Sequence, residues 1–568
     1  MKNALLVVFL LALIIRLAPG IISGFPAGVD SYAHAVIANE FIETNSIPMR
    51  NSDEYRLYPM IYHEVVASLS IVSDTSVLLW QIFLPSFITA LTCVLIYLLL
   101  KQNTRKEIVS LAGALFFAFS PGNILFSASA GMPQVFGIFL FLLIFYIFLS
   151  KIGFTEKAIL IFILSLTLAA THVSSSMLFL IVIQGIFFIL LIFIFLGYPK
   201  VRASYKLILL IISYIGIIFS HLIFNNVYKY YIGTSYYAAY FTLSDIAIKV
   251  LITSSPFIAL LFLYIYLANK NMWIEKINKT ASNRYIIYIT AISIIAIFTS
   301  LTFIFFEPKP TEYYLTTPLW YFPIFAGITA TILSYFGIYY ALKKHDLFST
   351  FLIVLLFLSF LIAFAGKGNI REMTFIGLPI SMLGALGTEY ILFIINKFIR
   401  RTLIIIGIIL MVIPAILATS YMTVNWLNSE ERDALIYLNK ISYINESVAC
   451  ISSCQYIDYF LNGTSRDIIN TEVFATTNMS KKVDIIRNYN ITYLFLDKRD
   501  KMIFIRSKMT PVERGLNIVF GYMPERLENI TCVEGLCNLN EVKFLYQIYD
   551  KDGIEIYKVR KSYPFLAT

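Results

Sequence analysis

Asp30 and His34 stand four residues apart in "GFPAGVDSYAHAVIANEF", directly after the first apolar run of the chain. At that spacing a carboxylate and an imidazole share one face of a helix. A carboxylate at a lipid–water boundary loses part of its solvation, becomes more basic and can take a proton from an incoming hydroxyl. The alternative role for Asp30 is that of a simple helix N-cap. The same loop, residues 23–76, carries Glu40, Glu43, Asp53, Arg56, His63 and Glu64, and loops of this length are usually functional. Two later loops add charge beside apolar runs: "FFEPKPTEYYLTTPLWYF" with Glu307, Lys309 and Glu312, and "FAGKGNIREMTFIGLP" with Lys367, Arg371 and Glu372. Arg371 can grip a phosphate bidentately, or it can snorkel, as can Lys367. Gly366 and Gly368 would let the backbone approach a ligand. A base and a cationic grip together suit displacement of a phosphate ester by a hydroxyl. His172 in "LAATHVSSSMLF" reads as a packing histidine. No stretch matches a nucleotide-phosphate loop; "GKGN" lacks both the preceding strand and the full spacing.

Long apolar elements must position these groups. The chain has 568 residues, 59% hydrophobic and 14% charged, against roughly 25% charged in soluble domains. Its main solvent is therefore lipid. Thirteen runs are apolar enough to be helical spans, near 4–22, 77–100, 108–128, 132–150, 157–171, 174–196, 207–224, 246–267, 285–306, 320–341, 349–365, 373–396 and 402–422. Lipid leaves the backbone to satisfy its own hydrogen bonds, and the runs are too long for barrel strands, so helices are expected.

Every loop on the N-terminal side of this layout carries Lys or Arg, from Lys2 and the Lys101–Lys106 loop to Lys397, Arg400 and Arg401, while the opposite loops are sparse. The bias expects a cytoplasmic N-terminus, with Asp30 and everything after the last span outside. It also explains much of the +10 net charge without a nucleic-acid partner. Arg16 interrupts the first run and argues against a cleaved signal peptide. The chain divides near residue 424 into a transmembrane part, 1–424, and an extracytoplasmic soluble part, 425–568. "ITYLFLD" and "VKFLYQIYD" read as strands there and "NSEERDALIYLNK" as an amphipathic helix, so a small α+β domain is expected. Cys450, Cys454, Cys532 and Cys537 fall in that part and read as disulfide candidates, with a metal site as the alternative. Five glycosylation acceptors, at Asn445, Asn462, Asn478, Asn490 and Asn529, agree with an external location.

Together these features resemble the GT-C superfamily of membrane glycosyltransferases, and in layout the catalytic subunit of oligosaccharyltransferase. The resemblance rests on "DSYAH" (Asp30 to His34) after the first span, on the aromatic-Pro segment "YRLYPMIYHEVVA", on "KPTEYY" with Glu312, and on Arg371 near the start of a late span. It implies an all-α polytopic bundle of about thirteen spans with a C-terminal outer domain, Asp30 at the reaction centre, and Arg371, with Lys367, on the donor phosphate. His34, Glu64 and Glu312 would support Asp30 or the acceptor. Such enzymes hold a divalent metal, so Mg or Mn with Asp30 as a ligand is implied. The chain departs from the pattern where the second acidic pair would stand, in "SASAGMPQVFG" with Gln134, and where a Trp-Trp-Asp motif would stand, in "VACISSCQYIDYFLNG". No metal set is therefore assigned and no cofactor is certain.

The expectation is an inverting membrane glycosyltransferase that moves a sugar from a polyprenyl-phosphate-linked donor to a lipid, glycan or protein acceptor on the outer face. A divergent oligosaccharyltransferase acting on protein is one alternative. A transporter or flippase of a lipid-linked sugar is another, although the charges cluster at span ends and no internal repeat is visible.

Overall fold

The computed structural model describes residues 2–28, 30–45, 60–128, 132–195, 204–232, 322–344, 346–365, 370–394, 397–424, 427, 429–442, 446–450, 457, 459–461, 479–497, 539, 542–551 and 554–560. The N-terminal part is helical: α1 (Lys2–Ser23), α2 (Asp30–Thr44), α3 (Ile61–Ser73), α4 (Val77–Thr104), α5 (Glu107–Ala118), α6 (Pro121–Ala128), α7 (Met132–Leu149), α8 (Phe154–Thr171), α9 (Val173–Phe195), α10 (Ser204–Ile232), α11 (Phe322–Ala326), α12 (Ile328–Lys344), α13 (Leu347–Ala365), α14 (Ile370–Ile394) and α15 (Lys397–Val424). Eleven of the thirteen expected spans coincide with these helices. The other two, 246–267 and 285–306, lie outside the described residues. Five described helices are long and apolar enough to cross a membrane, six if α5 and α6 form one span. The chain is a multi-pass membrane protein.

Two spans expected as continuous are broken. "SPGN" bends the run 108–128 by 55° between α5 and α6. Pro121 opens α6 at the first helical position, where its missing N–H has no cost. Gly327, at φ +96°, separates α11 from α12 in the run 320–341. A side chain there would be strained, and glycine meets the turn without that penalty.

The main core gathers Ile96 and Leu100 of α4, Phe141 and Phe145 of α7, Val182 of α9, Phe351 and Leu355 of α13 and Leu386 of α14. Phe141 meets Phe179 edge-on with ring centroids 5.0 Å apart, a favoured aromatic geometry. With lipid on the outside, burial of apolar groups is a weak driver between helices, and close packing carries the association.

After α15 come α16 (Ser429–Ile441), β1 (Ser447–Ala449), α17 (Met479–Asn488), β2 (Ile491–Leu496), β3 (Leu545–Lys551) and β4 (Ile554–Val559). The strands form one sheet in the order β1-β2-β4-β3, with β1 and β2 parallel and the other pairs antiparallel. Every residue of β2 is buried, which explains why "ITYLFL" reads as a continuous apolar run: both faces are covered. Leu494 and Leu496 face Ile485 and Ile486 of α17. Tyr493 and Phe495 face Leu435 and Leu438 of α16, and Tyr32 of α2 joins that same cluster.

Candidate functional site

Asp30 opens α2 and is buried, 7% exposed. It stands at the positive end of the helix dipole, where a carboxylate is stabilised. The turn leading to it passes Gly24 and Gly28, both with positive φ, and is tied down by Ser31 Oγ donating to the Ala27 carbonyl at 2.8 Å. The sequence places this helix over Ser31–Glu43; the structure runs it over Asp30–Thr44.

His34, on the same face, is buried. Its Nδ1 lies 3.0 Å from Nε2 of His63 on α3, and the tautomer decides which nitrogen donates. Tyr62, whose ring meets both imidazoles edge-on, donates its hydroxyl to Gln81 Oε1 of α4 at 2.7 Å. Burial pushes the Tyr62 phenol well above its ordinary range. His63 belongs to this cluster and was not singled out above. The sequence signal for it was its place in "YHEVV", where Tyr62, Val66 and the buried Ala67 mark the inward face of α3. Glu64 is next to it in sequence but exposed, on the other face of α3, and does not join the buried cluster.

α2 is held from a second side. The Tyr32 ring meets Tyr459 edge-on at 5.6 Å and Phe460 at 6.2 Å. The Tyr459 hydroxyl also bonds the Asn39 side chain. The helix that begins at Asp30 is thus clamped between α3 and the pair Tyr459 and Phe460.

α14 carries Arg371 in its first turn. One turn further on, Thr374 Oγ1 accepts from Gln134 Nε2 at 3.0 Å, joining α14 to α7. Gln134 is the residue found where the resemblance would place an acid. A small, mostly apolar cavity of about 20 Å³ lies here, lined by Phe117, Phe126 and Ile138 with a few polar groups, among them Asn123, Gln134 and Thr374. That volume holds about one water. Asn123 Nδ2 is buried without a hydrogen-bond partner among the described residues. Lys367 and Glu312 lie outside the described residues, and so does the element "KPTEYY".

His172 follows the packing expectation. It sits between α8 and α9, its Nδ1 accepting from the Ser175 backbone N–H at 3.1 Å. Cys450 is disulfide-bonded, and Cys93 is free and buried. Cys454, Cys532 and Cys537 lie outside the described residues. Among the described residues no three His, Cys, Asp or Glu side chains stand close enough to hold a metal. Gln134 spends its amide nitrogen on Thr374. The described residues therefore do not fit a Mg or Mn centre at Asp30.

No family model matches the chain, and no curated protein matches it in sequence. Solved structures do match in fold. The crystal structure of the Archaeoglobus fulgidus oligosaccharyltransferase in the apo form aligns at TM-score 0.64 and 14% identity, over 92% of this chain and 71% of that one. Its complex with Zn and sulfate aligns at 0.62 and 14% identity, over 98% and 73%. Arabinofuranosyltransferase AftD from mycobacteria aligns at 0.48 and 11% identity, over 98% and 40%. The fold is that of the archaeal oligosaccharyltransferase, which is the fold the sequence resemblance implies.

Proposed function

We propose that the protein is a membrane glycosyltransferase that takes its sugar from a polyprenyl-phosphate-linked donor. The carrying observation is that a chain with the oligosaccharyltransferase fold keeps a buried carboxylate, Asp30, at the head of a helix clamped on two sides. In this reading the donor enters from the lipid and Arg371, with Lys367, holds its phosphate. An acceptor oxygen bonds to the anomeric carbon from the face opposite the phosphate, and the carbon–oxygen bond to phosphate breaks. The bonding pair leaves with the phosphate, the acceptor proton passes to Asp30, and the anomeric configuration inverts. A guanidinium held where the leaving charge develops would supply the larger share of the barrier reduction.

The Lys/Arg bias puts this reaction on the outer face, with the N-terminus cytoplasmic and residues 425–568 outside. Those residues would form the soluble domain beside the 1–424 bundle. His34 acts as a support for Asp30, and Glu312 as an acceptor-side group. One second reading is that of a divergent oligosaccharyltransferase acting on protein asparagine, supported by the name of the archaeal structures that share the fold. Against it stands the absence of the Trp-Trp-Asp motif.

Asp30→Asn is the test. Membranes holding either protein receive a labelled polyprenyl-phosphate sugar, and label is followed into lipid, glycan and Asn-x-Ser/Thr peptide fractions. Loss of a general base typically costs 10²–10⁴-fold in rate. Undiminished transfer by Asp30→Asn refutes the base assignment. Label in the peptide fraction selects the second reading.

A further inference from the structure

Arg16 lies within the first membrane-spanning helix and is 1% exposed. Among the described residues no ion pair involves it. Its guanidinium is spent instead on the break between α5 and α6. Nη1 donates to the Ala118 carbonyl at 3.0 Å and Nη2 to the Phe117 carbonyl at 3.4 Å, the last two carbonyls of α5. Nε donates to Ser127 Oγ on α6 at 3.0 Å. The remaining bond, Nη1 to the Ala12 carbonyl at 3.1 Å, returns to α1 itself.

A helix that stops inside a membrane leaves its final carbonyls without intrahelical donors. Water is scarce there, and each unsatisfied group costs several kcal/mol. Arg16 supplies a donor to the Ala118 carbonyl from a neighbouring helix, and a second, longer one to the Phe117 carbonyl, which also accepts from the Ser120 N–H at 3.3 Å. Its positive charge sits at the negative end of the α5 dipole. It also fixes both arms of the bend, because Phe117 and Ala118 lie before it and Ser127 after it. α6 in turn supports the route to Asp30. Ala27 belongs to the same buried cluster as Ile124 and Leu125 of α6, and Ser31 Oγ bonds the Ala27 carbonyl one residue from Asp30.

We infer that Arg16 is a positioning residue for Asp30, acting through the broken span α5–α6 rather than by touching substrate. The inference rests on the proposed transferase reading for its kinetic arm only. Misplacing a reacting group by about 1 Å costs on the order of 100-fold in rate. Arg16→Met, an apolar side chain of similar length, should therefore lower kcat about 100-fold. The KM for the polyprenyl-phosphate sugar should stay near the wild-type value. Arg16→Lys, which keeps charge and donors, should recover a large part of kcat. Wild-type kcat in Arg16→Met overturns the inference. A loss confined to donor KM also overturns it and makes Arg16 a phosphate ligand.

Cys93 gives a readout that needs no activity. It is fully buried and packs with Val8 and Ala12 of α1. In full-length protein reconstituted in lipid, a water-soluble maleimide should leave Cys93 unlabelled in the wild type and label it in Arg16→Met, as mapped by mass spectrometry. Equal protection in both overturns the cap. Should Arg16→Met fail to fold, Ser127→Ala, which removes the Nε acceptor together with a local 3.2 Å bond to the Ile124 carbonyl, takes its place, with a smaller kcat loss expected and no change refuting. If the wild type transfers no sugar, the transferase reading fails while the labelling result still decides the cap.

Discussion

His34 Nδ1 lies 3.0 Å from His63 Nε2, and this contact ties the helix that begins at Asp30 to the next helix of the same loop. Both imidazoles are buried, His34 2% and His63 0% exposed. One nitrogen of the pair must carry the proton and the other must not. The pair therefore fixes two tautomers as well as two rings. Doubly protonated, it would set two N–H donors face to face. A pair of this kind orients a neighbour one turn away more firmly than either ring alone.

Replacing the two histidines singly and together should reveal that coupling. His34→Ala and His63→Ala each remove the contact, and contacting residues couple by about 0.5–3 kcal/mol in double-mutant cycles. Thermal melts of the two single variants and the double variant in one detergent give the coupling directly. Strict additivity would mean that the 3.0 Å contact contributes nothing.

Tyr62→Phe tests the layer beneath. Gln81 Nε2 already has no partner among the described residues, and Gln81 Oε1 has the Tyr62 hydroxyl. Removing the hydroxyl orphans the whole buried amide, which costs about 1–3 kcal/mol. A pH effect accompanies it. The folded protein holds the Tyr62 phenol well above its ordinary value by burial, while an unfolded tyrosine ionises near 10. The unfolded chain therefore releases this proton first. Stability from the neutral phenol is intact below about pH 10 and is lost as pH rises toward the folded value. Melting temperatures measured from pH 8 to 11 should fall more steeply for the wild type than for Tyr62→Phe. Parallel curves would show that Tyr62 does not contribute.

Tyr459 should matter to Asp30 although it lies far along the chain. It touches Tyr32 edge-on and bonds the Asn39 side chain, gripping α2 at two points seven residues apart. Tyr459 is half-buried, so its truncation should cost less than the roughly 3–5 kcal/mol of a fully buried aromatic. Tyr459→Ala should therefore lower the melting temperature and sugar transfer together. Tyr459→Phe, keeping the ring and losing only the Asn39 bond, should cost about 1 kcal/mol. Equal effects from both would assign the grip to the hydroxyl rather than the ring.

The sequence carried the bundle well because lipid imposes a simple rule: long apolar runs become helices. Asp30 was legible for a related reason, as a carboxylate at the end of such a run. Its partners were less so. His63 lies 29 residues from His34, with residues 46–59 between their helices, and no local pattern pairs them. Arg16 looked like a blemish in an apolar segment. Its role depends on a break in another helix about a hundred residues away, where "SPGN" signals a turn but not what satisfies it. Glu64 shows why sequence neighbours need not share a cluster. It neighbours His63 in sequence, yet successive helical residues point about 100° apart, and Glu64 faces outward.

Gly387 and Gly337 set how closely α14, the helix carrying Arg371, approaches α12. A Cβ added at Gly387 would stand 1.8 Å from the Leu333 carbonyl oxygen, and one at Gly337 1.8 Å from that of Leu383. Both obstacles are backbone, so no rotamer change relieves them and the helices must separate. Small residues at such crossings let membrane helices pack by direct backbone approach. Gly387→Ala should therefore destabilise by at least the 1–3 kcal/mol typical of overpacking, and it should shift Arg371 relative to the rest of the site. Gly407→Ala on α15 is the matched control, since its Cβ would meet only the Thr329 methyl at 3.3 Å. A methyl can give by a few tenths of an ångström where a carbonyl of a packed helix cannot. Melts of the two variants side by side should show a large fall for Gly387→Ala and little for Gly407→Ala. Equal falls would mean that the α12–α14 crossing can spread without cost, and that α14 is not held in place by its glycines.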